Sequence, residues 1–175
     1  MTSANSNSPD TYRSGFVALC GRPNVGKSTL LNALIGDRVA LATRFPQTTR
    51  ERMLGIWSGE EFQAVLVDTP GIHRAKSALN KFMVDEAIKG ARGVDLVLML
   101  AEMPNIPYAE AAAEWEPGPG AQAALASLVE TGRPIILVLT KCDMVKDRDL
   151  ALPIIETWQR HHSFETVVPT SAIKG

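Results

Sequence analysis

The apolar positions of the chain fall into short continuous runs that alternate with stretches of helical period. Nearly unbroken apolar runs of about four to eight residues are typical of strands that are covered on both faces, as in a parallel sheet. Strands are predicted over 16–20, 52–57, 62–67, 94–100, 135–139 and 166–168. Helices are predicted over 27–35, 78–89, 121–130 and 150–161, the last with Pro153 in its first turn. This alternation predicts a three-layer α/β sandwich.

Two of the predicted strands differ from the others because a short polar turn joins them. Residues 58–61 read Ser-Gly-Glu-Glu, which predicts a hairpin between the strands over 52–57 and 62–67. Helices separate the remaining strands, and this favours parallel pairing. We therefore predict a mostly parallel central sheet with one antiparallel strand, flanked by helices, whose ligands bind at the carboxyl ends of the strands.

The chain length predicts one domain preceded by a tail. Residues 1–14 are rich in serine and asparagine and predict a disordered N-terminal tail, so that the domain covers 15–175. Residues 103–120 form a longer connection than a strand and its next helix require, and they carry three glutamates and four prolines. This composition predicts a surface insertion, which is either disordered or a binding segment for a partner.

A glycine-rich turn joins the first predicted strand to the first predicted helix. Its residues are Gly21, Arg22, Pro23, Asn24, Val25, Gly26, Lys27 and Ser28, followed by Thr29. Two glycines let the backbone bend until several N–H groups face one anion, and a lysine at this spacing reaches the β- and γ-phosphates of a nucleotide. The serine can place its hydroxyl group on Mg²⁺. The pattern therefore predicts a phosphate-binding loop.

A second motif follows the strand over 62–67. It consists of Asp68, Thr69, Pro70 and Gly71, with Ile72 next in the chain. By itself this tetrapeptide is typical of a plain β-turn. Beside a phosphate-binding loop, Asp68 is expected to hold Mg²⁺ directly or through water, and Gly71 to bring its N–H near the γ-phosphate.

Two further motifs follow the last two predicted strands. They are Thr140, Lys141, Cys142 and Asp143 after one strand, and Ser171, Ala172 and Ile173 after the other. Asp143 can accept hydrogen bonds from N1 and the exocyclic amine of guanine, a donor pair that adenine lacks, so it predicts selection of guanine. A charged loop without such a role is the alternative. Ser171 and Ala172 can offer backbone N–H groups to the guanine carbonyl oxygen.

Composition and charge exclude several classes of protein. A formal net charge of −1 and a pI near 6.3 give no overall basic footprint for nucleic acid or membrane, so such a partner would need a local patch or residues outside this sequence. Cys20 and Cys142 each end an apolar run, which favours buried thiols in a reducing compartment over a disulfide or a metal site. No apolar run approaches the roughly 18 residues of a membrane span.

In this order and spacing, the four motifs resemble those of the translation-factor-related small GTPases. The resemblance covers about 15–175, and the sequences Pro-Gln-Thr-Thr-Arg at 46–50 and Asp-Thr-Pro-Gly-Ile-His at 68–73 are most similar to the Era family of bacterial GTPases. It implies a Ras-like P-loop GTPase fold. It also implies a molecular switch that binds GTP, hydrolyses it slowly and relaxes once GDP is formed.

The resemblance assigns roles to matched residues. Lys27, Thr49 and Gly71 are the catalytic candidates, and Ser28, Thr49 and Asp68 are the implied Mg²⁺ ligands. The other residues of the four motifs would bind GTP or GDP. Thr140 stands where asparagine is more usual, so that a hydroxyl group replaces the amide that can brace the phosphate-binding loop.

Two positions bear on the rate of hydrolysis. Ile72 occupies the place of a glutamine that positions the attacking water in many small GTPases, so we expect hydrolysis to be slow unless a partner assists. Asn24 matches a position that helps to hold K⁺ against the phosphates in similar GTPases, which predicts stimulation by potassium. A plain turn residue is the alternative for Asn24.

The resemblance implies partners that these residues do not support by themselves. Era-like proteins continue through a last GTPase helix into an RNA-binding KH domain, and no such region follows Gly175 in this sequence. Through that domain the intact protein would bind 16S ribosomal RNA and the small (30S) ribosomal subunit as a cytoplasmic monomer, with peripheral association at the inner face of the membrane. The alternatives are a related GTPase of ribosome or tRNA maturation, and a scaffold domain that holds GDP with negligible turnover.

Overall fold

The computed structural model describes residues 12–36, 54–68, 93–107, 109–145 and 147–174. Within them, six strands form one sheet: β1 (Arg13–Gly21), β2 (Leu54–Ser58), β3 (Phe62–Asp68), β4 (Leu96–Glu102), β5 (Ile135–Thr140) and β6 (Thr166–Pro169). The helices are α1 (Lys27–Ile35), α2 (Ala109–Ala113), α3 (Pro119–Val129) and α4 (Ala151–His161). Two 3₁₀ turns lie at Cys142–Met144 and Arg148–Leu150.

The strand order is β2-β3-β1-β4-β5-β6, and only β2 is antiparallel to its neighbour in this sheet. This arrangement confirms the mostly parallel sheet and the hairpin predicted from the sequence. In the register, Leu19 of β1 lies opposite Asp68 of β3, and Gly21 lies opposite Leu100 of β4. The carboxyl ends of the parallel strands therefore meet at one edge of the sheet, where the loops that carry the motifs begin.

The sheet is covered on both faces by apolar side chains. On one face, α1 buries Leu30, Leu31 and Ile35 against the sheet residues Leu19 and Leu66. On the other face, α3 and α4 bury a larger cluster, whose most enclosed members include Leu128, Ile135, Leu137, Ile154 and Trp158. Each such side chain contributes roughly 1.5–3 kcal/mol when it leaves water, so the two clusters fix the helices on the sheet.

The structure of the segment 103–120 differs from its prediction. It was predicted to be a surface insertion, but Met103 and Ala112 are buried in the larger core cluster. Trp115 packs against Trp158 of α4 with ring centroids 6.2 Å apart. Pro119 occupies the first turn of α3, where its missing N–H costs nothing. Met103, Ala112 and Trp115 therefore tie the segment to the core, whereas others of its described residues, such as Glu114 and Glu116, are exposed.

Other boundaries shift slightly. β1 begins at Arg13, within the predicted tail, because Arg13 and Ser14 pair with the start of β3. Cys20 is buried and Cys142 is partly buried, and no disulfide joins them. The predicted helix over 78–89 and the predicted tail up to residue 11 lie outside the described residues. None of the described helices is both long and apolar enough to cross a membrane.

Candidate functional site

The turn between β1 and α1 has the backbone of an anion-binding loop. Asn24 and Gly26 adopt left-handed conformations, with φ of 61° and 99°. Gly26 immediately precedes α1, and no side chain caps the helix there. Successive residues of this kind turn their N–H groups toward a common point, and the positive end of the helix dipole adds to the attraction. A side chain at Gly21 would collide with the carbonyl oxygen of Leu100, so glycine also allows β1 to lie close to β4.

Lys27 is held inside this loop. Its Nζ donates to the carbonyl oxygens of Gly21, at 3.3 Å, and Arg22, at 3.0 Å, and the residue is buried. A buried ammonium group requires such partners, because an uncompensated charge away from water is costly. The loop carbonyls thus orient the cation within the turn, where an incoming phosphate would meet it.

Thr140 connects the phosphate-binding loop to the motif after β5. Its Oγ1 donates to the carbonyl oxygen of Val25 at 2.7 Å and lies 3.2 Å from that of Ala101. Its own carbonyl oxygen accepts from the N–H of Met103 at 2.9 Å. The hydroxyl group therefore stands where a bracing side chain was predicted, and it joins the loop, β4 and β5 at one point.

The motif after β5 is shaped by its backbone and by two partners. Lys141 has a left-handed φ of 60° and pairs with Glu102 at 3.1 Å. The N–H of Cys142 donates to the carbonyl oxygen of Thr170 at 3.2 Å, which ties this motif to the loop after β6. The Cys142 thiol donates to the carbonyl oxygen of Leu139 at 3.2 Å, and burial raises its pKa. The Cys142 thiol therefore stays protonated at neutral pH, and it packs against the larger core cluster.

Asp143 and Ser171 come together across the two loops. A hydrogen bond from the Ser171 hydroxyl group lowers the pKa of the Asp143 carboxyl below its ordinary value of 3.8, and nearby Lys174 acts in the same direction. The carboxylate is therefore ionised at neutral pH. The sequence had assigned only backbone N–H groups to Ser171, and it gave no signal for this side-chain contact. Ala172 packs against the core on the α1 face, whereas the side chain of Ile173 is 78% exposed, which leaves its backbone as the part able to serve the site.

The predicted Mg²⁺ ligands are only partly described. Ser28 lies in the first turn of α1, and Asp68 ends β3 at the same edge of the sheet. Thr49, Thr69, Pro70, Gly71 and Ile72 lie outside the described residues. Within the described ranges, no three His, Cys, Asp or Glu residues gather into a metal cage. Mg²⁺ fits this edge nevertheless, because it is usually held by one or two protein oxygens together with phosphates and water.

Comparison with known proteins decides the family. The model of the family described as 50S ribosome-binding GTPase matches residues 16–141. The chain belongs to this GTPase family. Its resemblance to Era is also confirmed: GTPase Era of Geotalea daltonii is 42% identical over 164 residues, which cover 94% of this chain and 52% of that protein.

Two solved structures of Era superpose on the described G-domain fold. A variant of Aquifex aeolicus Era bound to GDP.AlF4- gives a TM-score of 0.71 at 32% identity, with 93% of this chain and 52% of that chain covered. Era in complex with MgGDPNP and nucleotides 1506-1542 of 16S ribosomal RNA gives a TM-score of 0.73 at 32% identity, with 94% and 53% covered. The chain thus spans about half the length of the curated relatives it matches.

Proposed function

We propose that this chain binds GTP and GDP and hydrolyses GTP, as the GTPase half of an Era-type switch. The observation that carries the proposal is the hydrogen bond from Thr140 to the carbonyl oxygen of Val25, which joins the phosphate-binding loop to the motif that contains Asp143. Lys27 would neutralise the charge that develops on the β- and γ-phosphates, and the loop N–H groups would hold the same oxygens. Gly71 would donate its N–H to the γ-phosphate.

The base would be read by Asp143. An ionised carboxylate accepts both donors of guanine, whereas adenine offers an acceptor at the ring nitrogen and would leave the carboxylate unpaired. The Ser171 hydroxyl group lowers the pKa of this carboxyl and so favours the ionised form that the base would meet.

Ser28, Thr49 and Asp68 would hold Mg²⁺, and Asn24 would help to hold K⁺. When bound, Mg²⁺ would offset the negative charge of the nucleotide phosphates. Ser28 supplies a hydroxyl group from the first turn of α1, where the helix geometry fixes its backbone. Equal GTP turnover in potassium and sodium buffers would contradict the role of Asn24.

The intact protein would act in small-subunit assembly and 16S ribosomal RNA processing in the cytoplasm. The support is the similarity to Era, one structure of which contains MgGDPNP and a 16S ribosomal RNA segment. RNA binding would belong to a region outside these residues. A monomeric state and peripheral association with the membrane are predictions from the same resemblance.

Displacement of a fluorescent GDP analogue by unlabelled GDP and by ADP tests the base assignment. We expect GDP to displace the analogue and ADP to fail. Asp143→Asn should weaken GDP binding by about two orders of magnitude, because the carboxylate loses one charge and gains a donor that faces the guanine donors. Asp149→Asn, at an exposed aspartate outside the motif, is the matched control and should bind GDP normally.

The second candidate function is a scaffold that holds GDP with negligible turnover. It is considered because the apolar side chain of Ile72 cannot orient the attacking water. If the domain only holds GDP as a scaffold, phosphate release will stop after at most one turnover per chain. A GTPase switch will continue to release phosphate with excess GTP, slowly, and Lys27→Ala will abolish that release.

A further inference from the structure

Lys141 lies at a sharp backbone turn in the motif that follows β5. Its φ of 60° is left-handed, a conformation that Asn24 is the only other non-glycine residue to adopt in the described part of the chain. A side chain is crowded by its own backbone in this conformation, so contacts with neighbouring groups are needed to hold the turn. The turn comes two residues before Asp143 and therefore sets the direction in which the chain carries that carboxylate.

Backbone hydrogen bonds hold the two sides of this turn. The carbonyl oxygen of Lys141 accepts from the N–H of Met144 at 3.0 Å, and the N–H of Cys142 donates to the carbonyl oxygen of Thr170 at 3.2 Å. The preceding residue, Thr140, is fixed by its bond to the phosphate-binding loop. None of these bonds involves the side chain of Lys141, so they do not determine where its ammonium group lies.

Glu102, the last residue of β4, supplies the contact to that side chain. It lies opposite Thr140 in the register of β4 and β5, directly beside the turn. Its carboxylate is 3.1 Å from Nζ of Lys141, which makes no other ion pair with a described residue. The side chains of Lys141 and Glu102 are 32% and 52% exposed, so water screens the pair only in part.

A second cation near Glu102 does not compete for it. Arg22 of the phosphate-binding loop lines the same cavity as Glu102, yet the two side chains form no ion pair in the described structure. The Arg22 side chain lies against Gly120, in the first turn of α3, instead. The charge of Glu102 is therefore directed to the motif after β5 and not to the phosphate-binding loop.

We propose that Glu102 is a positioning residue for guanine recognition. Its carboxylate holds the ammonium group of Lys141 at the end of β4, and the fixed side chain stabilises the left-handed turn that presents Asp143 to the base. This inference rests on the proposed nucleotide binding, and it adds a residue that lies outside the four sequence motifs. It predicts that loss of the pair weakens binding of the guanine nucleotide and leaves binding of phosphate groups by the loop unchanged.

The sign of the effect separates positioning from simple charge repulsion. A carboxylate near the nucleotide phosphates would repel them, so Glu102→Gln would tighten GDP binding if Glu102 acted by its charge alone. If Glu102 positions Lys141, the same substitution weakens GDP binding. The expected loss is about two- to fivefold, which corresponds to the loss of a partly exposed ion pair.

The test is the displacement of a fluorescent GDP analogue by GDP and by inorganic pyrophosphate, which has no base to be recognised. We expect Glu102→Gln to weaken GDP and to leave pyrophosphate unchanged, once each value is corrected for the affinity of the analogue. Glu102→Asp keeps the charge and should retain most of the GDP affinity, and Glu130→Gln, at an exposed glutamate after α3, is the control. The loss in Glu102→Gln should shrink at about 1 M salt, where charges are screened within roughly 3 Å.

A double variant shows whether Glu102 acts through Lys141. Lys141→Met keeps the aliphatic stem and removes the ammonium group, so Glu102→Gln should cause no further loss of GDP affinity in that background. A further loss as large as in the parent chain, an equal loss for pyrophosphate, or unchanged or tighter GDP binding by Glu102→Gln alone would overturn the proposal. Equal thermal midpoints of the parent and Glu102→Gln without nucleotide show that the variant is folded.

The parent chain separates this proposal from the proposed function. If the parent binds GDP and Glu102→Gln binds it equally well, only the role of Glu102 is overturned. If the parent binds no GDP, the proposed function fails, and the role of Glu102 fails with it.

Discussion

Thr140 carries two structural tasks with one hydroxyl group. It is buried, it bonds to the carbonyl oxygen of Val25, and it lies close to that of Ala101. A buried carbonyl group that loses its donor retains its desolvation cost, because water cannot replace the partner. The residue therefore stabilises the chain and positions the phosphate-binding loop at the same time.

Thr140→Val keeps the shape of the side chain and removes the hydroxyl group. We expect the free energy of unfolding to fall by about 1–3 kcal/mol, since the Val25 carbonyl would be left unpaired. Urea denaturation of the nucleotide-free chain measures this change. Thr166→Val, at an exposed position of β6, is the control and should change stability little. Equal stability of the two variants would show that the hydroxyl group is dispensable.

Ser171→Ala tests the partner of Asp143. The hydrogen bond holds the pKa of this carboxyl below 3.8, so its contribution to stability is present above that value and is lost as the pH falls through the lower folded pKa. Without the hydroxyl group the pKa should rise toward 3.8, and the stability that this carboxyl loses in acid should become smaller. Carbon-13 NMR titration of the Asp143 carboxyl measures the midpoint. Ser163→Ala is the control, and a midpoint in Ser171→Ala equal to that in the control would contradict the contact.

Among the residues of the site, the phosphate-binding loop could be predicted because its chemistry is local. Glycine conformations and the lysine spacing act within a few residues, and the structure places Gly26 and Lys27 accordingly. The bond between Ser171 and Asp143 could not be predicted in the same way, because it depends on how two strand ends meet in the folded sheet.

At the scale of elements, β2 depends on a close approach to α1. Gly55 of β2 lies against Ile35 and Leu31, and a Cβ atom at this position would collide with Cδ1 of Ile35. The same contact joins the smaller core cluster to the hairpin. Glycine at this position is therefore favoured by packing and not by backbone conformation.

Gly55→Ala should destabilise the chain by about 1–3 kcal/mol through overpacking. Ile35→Val removes the closest colliding atom, Cδ1, although Cγ1 remains 2.9 Å from the added Cβ, and by itself this change should cost about 0.5–1.5 kcal/mol. Because the two changes compensate, the double variant should be more stable than the sum of the single effects predicts. Urea denaturation of the parent chain, both single variants and the double variant gives the coupling energy. Gly118→Ala, where nothing lies within 4 Å of the added atom, is the control, and strictly additive effects would contradict the predicted clash.

The elements of the sheet were predictable because their apolar runs are continuous. The segment 103–120 was not, because its four prolines and three glutamates are typical of an exposed loop while Met103, Ala112 and Trp115 provide the contacts. Trp115 meets Trp158 from a helix far along the chain. A hydrophobic pattern over a dozen neighbouring residues does not reveal a contact partner as far along the chain as Trp158.

At the scale of the whole molecule, nucleotide binding should raise the free energy of unfolding of the chain. A ligand that binds only the folded chain raises the free energy of unfolding by about 2.7 kcal/mol at a concentration of roughly 100 times its dissociation constant. We expect GDP to raise the thermal midpoint in this way and ADP to leave it unchanged. Differential scanning fluorimetry measures both, and Asp143→Asn should remove the effect of GDP. Equal stabilisation by the two nucleotides would contradict guanine selection.

The central position of β1 has a consequence for the order in which the molecule opens. Ala18, Leu19 and Cys20 are fully buried, and β1 is hydrogen-bonded to β3 on one side and β4 on the other. Their amide hydrogens should exchange with deuterium only through global unfolding, whereas those of β6 at the edge of the described sheet should exchange earlier. The phosphate-binding loop is attached directly to the slowest-exchanging strand. The phosphate-binding loop should therefore keep its shape when the edge strands of the sheet unfold locally.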